Sequence, residues 1–157
     1  MNGDIAIVWD VNHGEFSLTA DGGDLLTDPG LETAVIVSLF SDARAGEHDE
    51  LPATETERRG WWGGDFEETP FGSKLWLLSR EKQMRSVVAR AEEYATAALA
   101  WMKKDRVALA VKATGTIPRP GWLHLQVEIT RPDGRNLNLK YDYNWRAQEA
   151  RAIENAV

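Results

Sequence analysis

Acidic side chains crowd one stretch of this chain: Glu47, Asp49, Glu50, Glu55, Glu57, Asp65, Glu67 and Glu68. Glycoside hydrolysis needs only two carboxyl groups about 5–9.5 Å apart. It also needs one of them held protonated in an apolar pocket. No Glu of this stretch stands isolated among apolar neighbours, and so many carboxylates together make a solvated face. Other chemistry is thinner still. His13, His48 and His124 share no metal-ligand spacing and read as solvated or turn residues. Gly72–Ser73–Lys74 is not a nucleophile elbow, which needs Gly two residues to either side of the Ser. Asp21–Gly22–Gly23–Asp24 with Asp28 lacks the alternating ligands and closing bidentate Glu of a calcium loop, and reads as a turn before a helix cap. Cysteine is absent, so thiolate nucleophiles, thiolate metal sites and disulfides are excluded. No catalytic, cofactor-binding or metal-ligating residue is assigned, and the chain reads as a non-enzyme.

Binding chemistry is better represented. Arg58 and Arg59 stand beside Trp61 and Trp62, flanked by Gly60, Gly63 and Gly64. Arg and Trp side by side suit base stacking on single strands, yet a formal charge of −7 disfavours nucleic acid and anionic membranes alike. Trp and Arg are also the residues enriched at protein interfaces. Adjacent residues in extended backbone point to opposite faces. One of Trp61 and Trp62 is therefore expected to pack inward while the other meets a partner. Seven Trp in 157 residues fits a chain that builds interfaces.

The elements that must position these groups fit one domain spanning 1–157, long enough to bury a core without staples. The start lacks a basic leader and the apolar stretches are too short to span a bilayer. Alternation at Ile5, Ile7 and Trp9, a turn at 12–14, and alternation at Phe16 and Leu18 predict an N-terminal pair of short strands. Asp28 as N-cap and Pro29 at the first helical position predict a helix through Phe40. Residues 44–75 then carry neither period for about thirty positions, which signals function or a hidden element. Met84, Val87, Val88, Ala91, Ala95, Ala98 and Met102 predict a second helix over 82–104. Alternating apolar residues in 107–113, 121–130 and 137–143 predict an antiparallel meander, the last turn made by Pro132–Asp133–Gly134. The class is α+β: two main helices packed on an antiparallel β-sheet, with residues 145–157 as a short helix or C-terminal tail. Trp76, Leu77 and Leu78 are expected to share one core with the helix stripe and the central strand.

Several segments occur in a telling order: Gly23–Asp24–Leu25, Gly30 to Val35, Ser38–Leu39–Phe40, Arg59–Gly60–Trp61–Trp62–Gly63, and Gly72 to Leu78. Tyr94, Ala95, Ala98, Leu99, Trp101 and the Arg131–Pro132–Asp133–Gly134 turn continue the series. Across most of residues 20–141 the chain resembles the baseplate protein family of Mu-type phages, gene product forty-six. That family is similar to the gene-twenty-five-like wedge proteins of contractile tails. The resemblance implies an α+β structural component of a tail baseplate, assembled in the host bacterial cytoplasm and present in multiple copies. It implies that the protein joins the wedge and initiates the sheath, with other baseplate proteins and the tail sheath protein as partners. No cofactor is implied. The wider family's Glu-Pro-Arg triplet is kept only loosely, as Lys103–Lys104–Asp105–Arg106. A lysozyme-like glycoside hydrolase and a generic prophage interaction module stand as alternatives.

A structural protein of this kind acts by geometry. An open sheet edge offers unpaired N–H and C=O groups to a matching strand. The exposed edge is expected at Leu137–Tyr143, with the N-terminal strands covering the opposite edge. The expected contact residues are Leu137, Leu139, Tyr141, Tyr143 and Trp145, together with Trp61 and Trp62.

Overall fold

Alternation of apolar and polar residues in the C-terminal half produces the sheet. In the computed structural model strand β1 (Ala110–Thr116), β2 (Trp122–Thr130) and β3 (Asn136–Asn144) form an antiparallel meander. The structure describes residues 4–5, 7–10, 15–18, 20–21, 24–25, 27–28, 31–52, 56–60, 71–78, 85–144 and 149–152, with the backbone alone before 29 and after 148. Register runs from Ala110 opposite Thr130 to Thr116 opposite His124, and from Trp122 opposite Asn144 to Thr130 opposite Asn136. Period two puts Leu123, Leu125, Val127 and Ile129 with Leu139, Tyr141 and Tyr143 on one buried face. Burying each such aliphatic side chain stabilises the fold by about 1.5–3 kcal/mol. The Pro132–Asp133–Gly134 turn forms as its chemistry dictates: Gly134 takes φ +85° and its N–H donates to the Arg131 carbonyl at 2.9 Å.

The helices cover that face. Helix α1 (Glu32–Phe40) is apolar around most of its circumference and buries Val35, Ile36 and Leu39. It starts later than expected. Leu31 occupies the N-cap without a side-chain hydrogen bond, while Asp28 lies in extended backbone opposite Asp4. The expected second helix exists but is broken at Leu99 into α2 (Arg85–Ala98) and α3 (Ala100–Lys104). The Thr96 hydroxyl donates back to the Glu92 carbonyl at 2.8 Å, a bond that bends helices. The Leu99 N–H is then shared between the carbonyls of Ala95 and Thr96. The proposed stripe residue Met84 lies outside the described residues. Val87, Ala91, Ala95, Ala98 and Met102 enter the core, and Val88 is half-buried.

The first strand begins three residues later than its alternation predicts, for a reason that the helix end supplies. Arg106 adopts φ +59°, its N–H bonds the Lys103 carbonyl, and the Val107 N–H bonds the Met102 carbonyl at 2.8 Å. This double closure is a Schellman motif, whose left-handed position glycine normally fills. Arg106→Gly should therefore stabilise the protein by up to about 1 kcal/mol, read as a raised midpoint in urea. An unchanged or lowered midpoint would show that the Arg106 side chain contributes more than its backbone costs.

The main class expected from sequence holds: two helical segments on one face of a three-stranded antiparallel sheet. The N-terminal strand pair does not hold as part of this fold. Among the described residues the ladders before residue 29 are separate and two-stranded, and none of them hydrogen-bonds to the main sheet. Within 145–157, Glu149–Ala152 (β4) is neither helix nor free tail but pairs antiparallel with β3, Glu149 opposite Asn144 and Ala152 opposite Tyr141. The expected open edge at Leu137–Tyr143 is thus occupied over its second half. The long aperiodic stretch ends at a buried 3₁₀ turn, Leu75–Leu78. Leu78 joins the main core, whereas Trp76 and Leu77 form a second cluster with Ala45, with Leu51 and Tyr94 packed against it. The single shared core expected for Trp76 to Leu78 is therefore divided in two.

Candidate functional site

The aperiodic region is built by three chain segments meeting at the C-terminal end of α1. Ser41 leaves the helix in extended backbone, and its carbonyl accepts the Ser73 N–H at 2.8 Å. The Ala43 N–H returns a bond to the Ser73 carbonyl at 2.9 Å, closing a parallel bridge between Asp42 and Ser73. The Ser73 hydroxyl donates to the Leu39 carbonyl, one of the orphaned acceptors at the helix end, and receives the Leu75 N–H at 3.4 Å. Gly72 makes this approach possible. It holds φ +94°, and a Cβ there would sit 2.6 Å from the Ser41 oxygen.

The third segment, 56–60, docks through the Ala45 N–H to the Arg58 carbonyl at 2.8 Å. The Arg58 guanidinium donates to the carbonyls of Gly46 and Glu47. Arg59 has φ +51°, a conformation that costs a side-chain-bearing residue about 1–2 kcal/mol. Its guanidinium offsets this by pairing with Asp42 Oδ2 at 2.9 Å and lying 4.5 Å over the Trp76 ring. Trp76 is 1% exposed, and its indole N–H donates to the Ala43 carbonyl at 2.9 Å. Lys74 pairs with Asp49 at 2.7 Å, and the same carboxylate accepts the Gly46 N–H at 2.6 Å. The Lys74 ammonium holds the Asp49 carboxyl below the usual carboxylate range, against partial desolvation acting the other way. Asp49 is thus not a protonated general acid. Glu47, Glu50 and Glu57 are exposed, and Glu55, Asp65, Glu67 and Glu68 lie outside the described residues.

Phe40 ties this platform to the sheet. Its ring meets Tyr141 edge-on at 5.3 Å and stacks on Tyr143 at 5.9 Å. Burial pushes the Tyr143 phenol well above its ordinary value of 10.0, and the Asp42 carboxylate adds to the rise against Arg59. A raised folded pKa means stability that is complete below the unfolded value and lost as pH climbs past it. The protein should lose stability above about pH 10, and Tyr143→Phe should flatten that alkaline limb. Equal alkaline slopes for both proteins in denaturant titrations would refute this assignment.

The expected contact residues fall into two groups. Leu139, Tyr141 and Tyr143 are core residues, because odd positions of β3 face the helices; Leu137 is half-buried. A partner reaches them only through backbone, and that of 141–144 already faces β4. Trp61, Trp62 and Trp145 lie outside the described residues. The described chain reaches Gly60, which follows Arg59 exposed and with φ +100°. Sequence reasoning missed Asp42 and Arg44 altogether, for no local motif marks them. It singled out Gly72–Ser73–Lys74 for the wrong chemistry: here Ser73 is a cap and a bridge.

His124 pairs with Asp142 at 3.0 Å across β2 and β3, His48 is exposed, and His13 is outside the described residues. Among the described residues no cluster of three or more His, Asp or Glu could hold a metal, and no helix is long and apolar enough to cross a membrane. The arrangement is a rigid platform of backbone bridges and ion pairs, suited to presenting a surface.

Comparison with known proteins accords with this. The chain is 44% identical over 131 residues to "Baseplate protein gp46" of Escherichia phage Mu, covering 83% of this chain and 89% of that protein. It is 36% identical over 144 residues to "Mu-like prophage FluMu protein gp46" of Haemophilus influenzae, covering 90% and 97%. The family model described as "Phage protein GP46" matches residues 31–136, which run from the start of α1 to the first residue of β3 and take in the whole platform. On these matches the chain belongs to the phage protein GP46 family.

Proposed function

We propose that this protein is a structural, non-enzymatic component of a contractile phage tail baseplate, in which it joins the wedge and initiates the sheath. The observation that carries the reading is the identity with the phage Mu baseplate protein across most of both chains. The fold supports it by offering a meander with helices on one face and a strand, β3, whose outer side is paired over 141–144 among the described residues. A sheath strand adds beside the Asn136–Lys140 half of β3, in line with the protein's own β4, and side-chain alternation fixes its register. One of Trp61 and Trp62 contacts a neighbouring baseplate protein while the other packs inward. The copies, several per baseplate, assemble in the host bacterial cytoplasm and end in the virion tail. The net charge of −7 disfavours nucleic acid and anionic membranes as partners.

In a Mu-like phage lacking this gene, tails should assemble without polymerised sheath, and the wild-type gene should restore it. Of the single variants Trp61→Ala and Trp62→Ala, one should stay folded yet fail to join purified baseplates. Normal sheathed tails in the deletion strain, seen by electron microscopy, would end this reading.

A further inference from the structure

Beside the platform lies an open depression lined by Arg44, Thr56, Glu57, Arg58, Arg59 and Gly60. It gathers three arginines in a chain with 18 basic and 25 acidic residues. From this geometry we infer that the depression is a docking site for a carboxylate side chain from an acidic segment of a partner protein.

Two of the three guanidinium groups are fixed before any partner arrives. Arg58 is held by the carbonyls of Gly46 and Glu47, and Arg59 by Asp42 and the Trp76 ring. Ordering of side chains, a main cost of association, has already been met for them. Arg44 differs. It is exposed, and among the described residues its guanidinium reaches the Arg59 carbonyl at the long distance of 3.5 Å. The Gly60 backbone comes close to its stem, for a Cβ on Gly60 would lie 3.0 Å from the Arg44 Cβ. A guanidinium offers five N–H donors in a planar fork that matches a carboxylate.

Charge selects the ligand. The described lining holds three arginines and one carboxylate, Glu57, and Arg59 is already paired with Asp42. An excess of cationic side chains in the lining suits a carboxylate. A polyphosphate backbone needs a run of cations, which this depression with its own glutamate does not supply. The inference stands apart from the baseplate reading, since it rests on the depression alone.

The test uses the full chain and two fluorescein-labelled peptides of equal length, oligoglutamate and oligoglutamine. Wild-type protein should bind oligoglutamate in fluorescence anisotropy and leave oligoglutamine free. Arg44→Ala should weaken oligoglutamate binding about fivefold, as expected for a solvent-facing fork. Arg44→Lys, which keeps charge but loses the fork, should fall between them. Lys112→Ala, exposed on β1, removes a charge elsewhere and should change nothing. The inference is overturned if wild type binds no oligoglutamate, if oligoglutamine binds as well, or if folded Arg44→Ala and Arg44→Lys proteins bind like wild type. Tighter binding of a single-stranded oligonucleotide than of oligoglutamate also overturns it.

Discussion

Replacing Trp76 with alanine is expected to cost about 3–5 kcal/mol, as truncations of a buried Trp do. Three contributions meet at this one side chain. Its indole fills the smaller apolar cluster with Leu77 and Ala45, and the N–H satisfies the Ala43 carbonyl. Its face carries the Arg59 guanidinium, so truncation also weakens the contact that stabilises a left-handed Arg59. Urea denaturation followed by circular dichroism reads the loss directly. A midpoint within experimental scatter of wild type would mean that the second cluster contributes nothing to global stability.

Gly72→Ala should be nearly as damaging, at about 3 kcal/mol, through backbone alone. The added methyl meets the Ser41 oxygen at 2.6 Å and the Ala43 nitrogen at 2.9 Å, the two partners that close the bridge to Ser73. It must also hold φ +94°, which by itself costs about 1–2 kcal/mol; forced overpacking adds about 1–3 kcal/mol. Gly134→Ala separates these causes. Gly134 has φ +85° but open space where the methyl would go, so only the conformational part applies. Equal losses for the two variants would show that the close approach at Gly72 is relieved at no cost.

Much of the sheet was legible because its signals are local. Leu123 to Ile129 and Leu137 to Tyr143 alternate, and Pro132–Asp133–Gly134 encodes its own turn. Where reading failed, a nonlocal or backbone effect had prevailed. Val107 continues the alternation of the first strand, but its N–H serves the Met102 carbonyl at the helix end. Asp28 has the chemistry of a cap, yet the chain around it is extended. Leu99 carries no sign of a helix break, since the cause is a Thr96 hydroxyl aimed at the backbone. The platform was the least legible part. Its bonds join residues such as Leu39 and Ser73 or Ala43 and Trp76, which are far apart in sequence and obey no period. Arg44, central to the carboxylate site inferred here, was invisible for the same reason.

The wiring of the two halves implies an order of events when the chain folds. Strands β1 to β3 are consecutive and joined by short turns, so their pairing closes small loops at little entropic cost. The platform instead must bring Ser73 to Leu39 across 34 residues and Arg59 to Asp42 across 17 before these bonds form. Local contacts form early and distant ones late, since closure entropy must be met before such contacts repay it. The meander should therefore zip from its turns before the platform closes. A freshly synthesised chain should then complete the platform only after its core exists, so an incompletely folded copy has no finished platform.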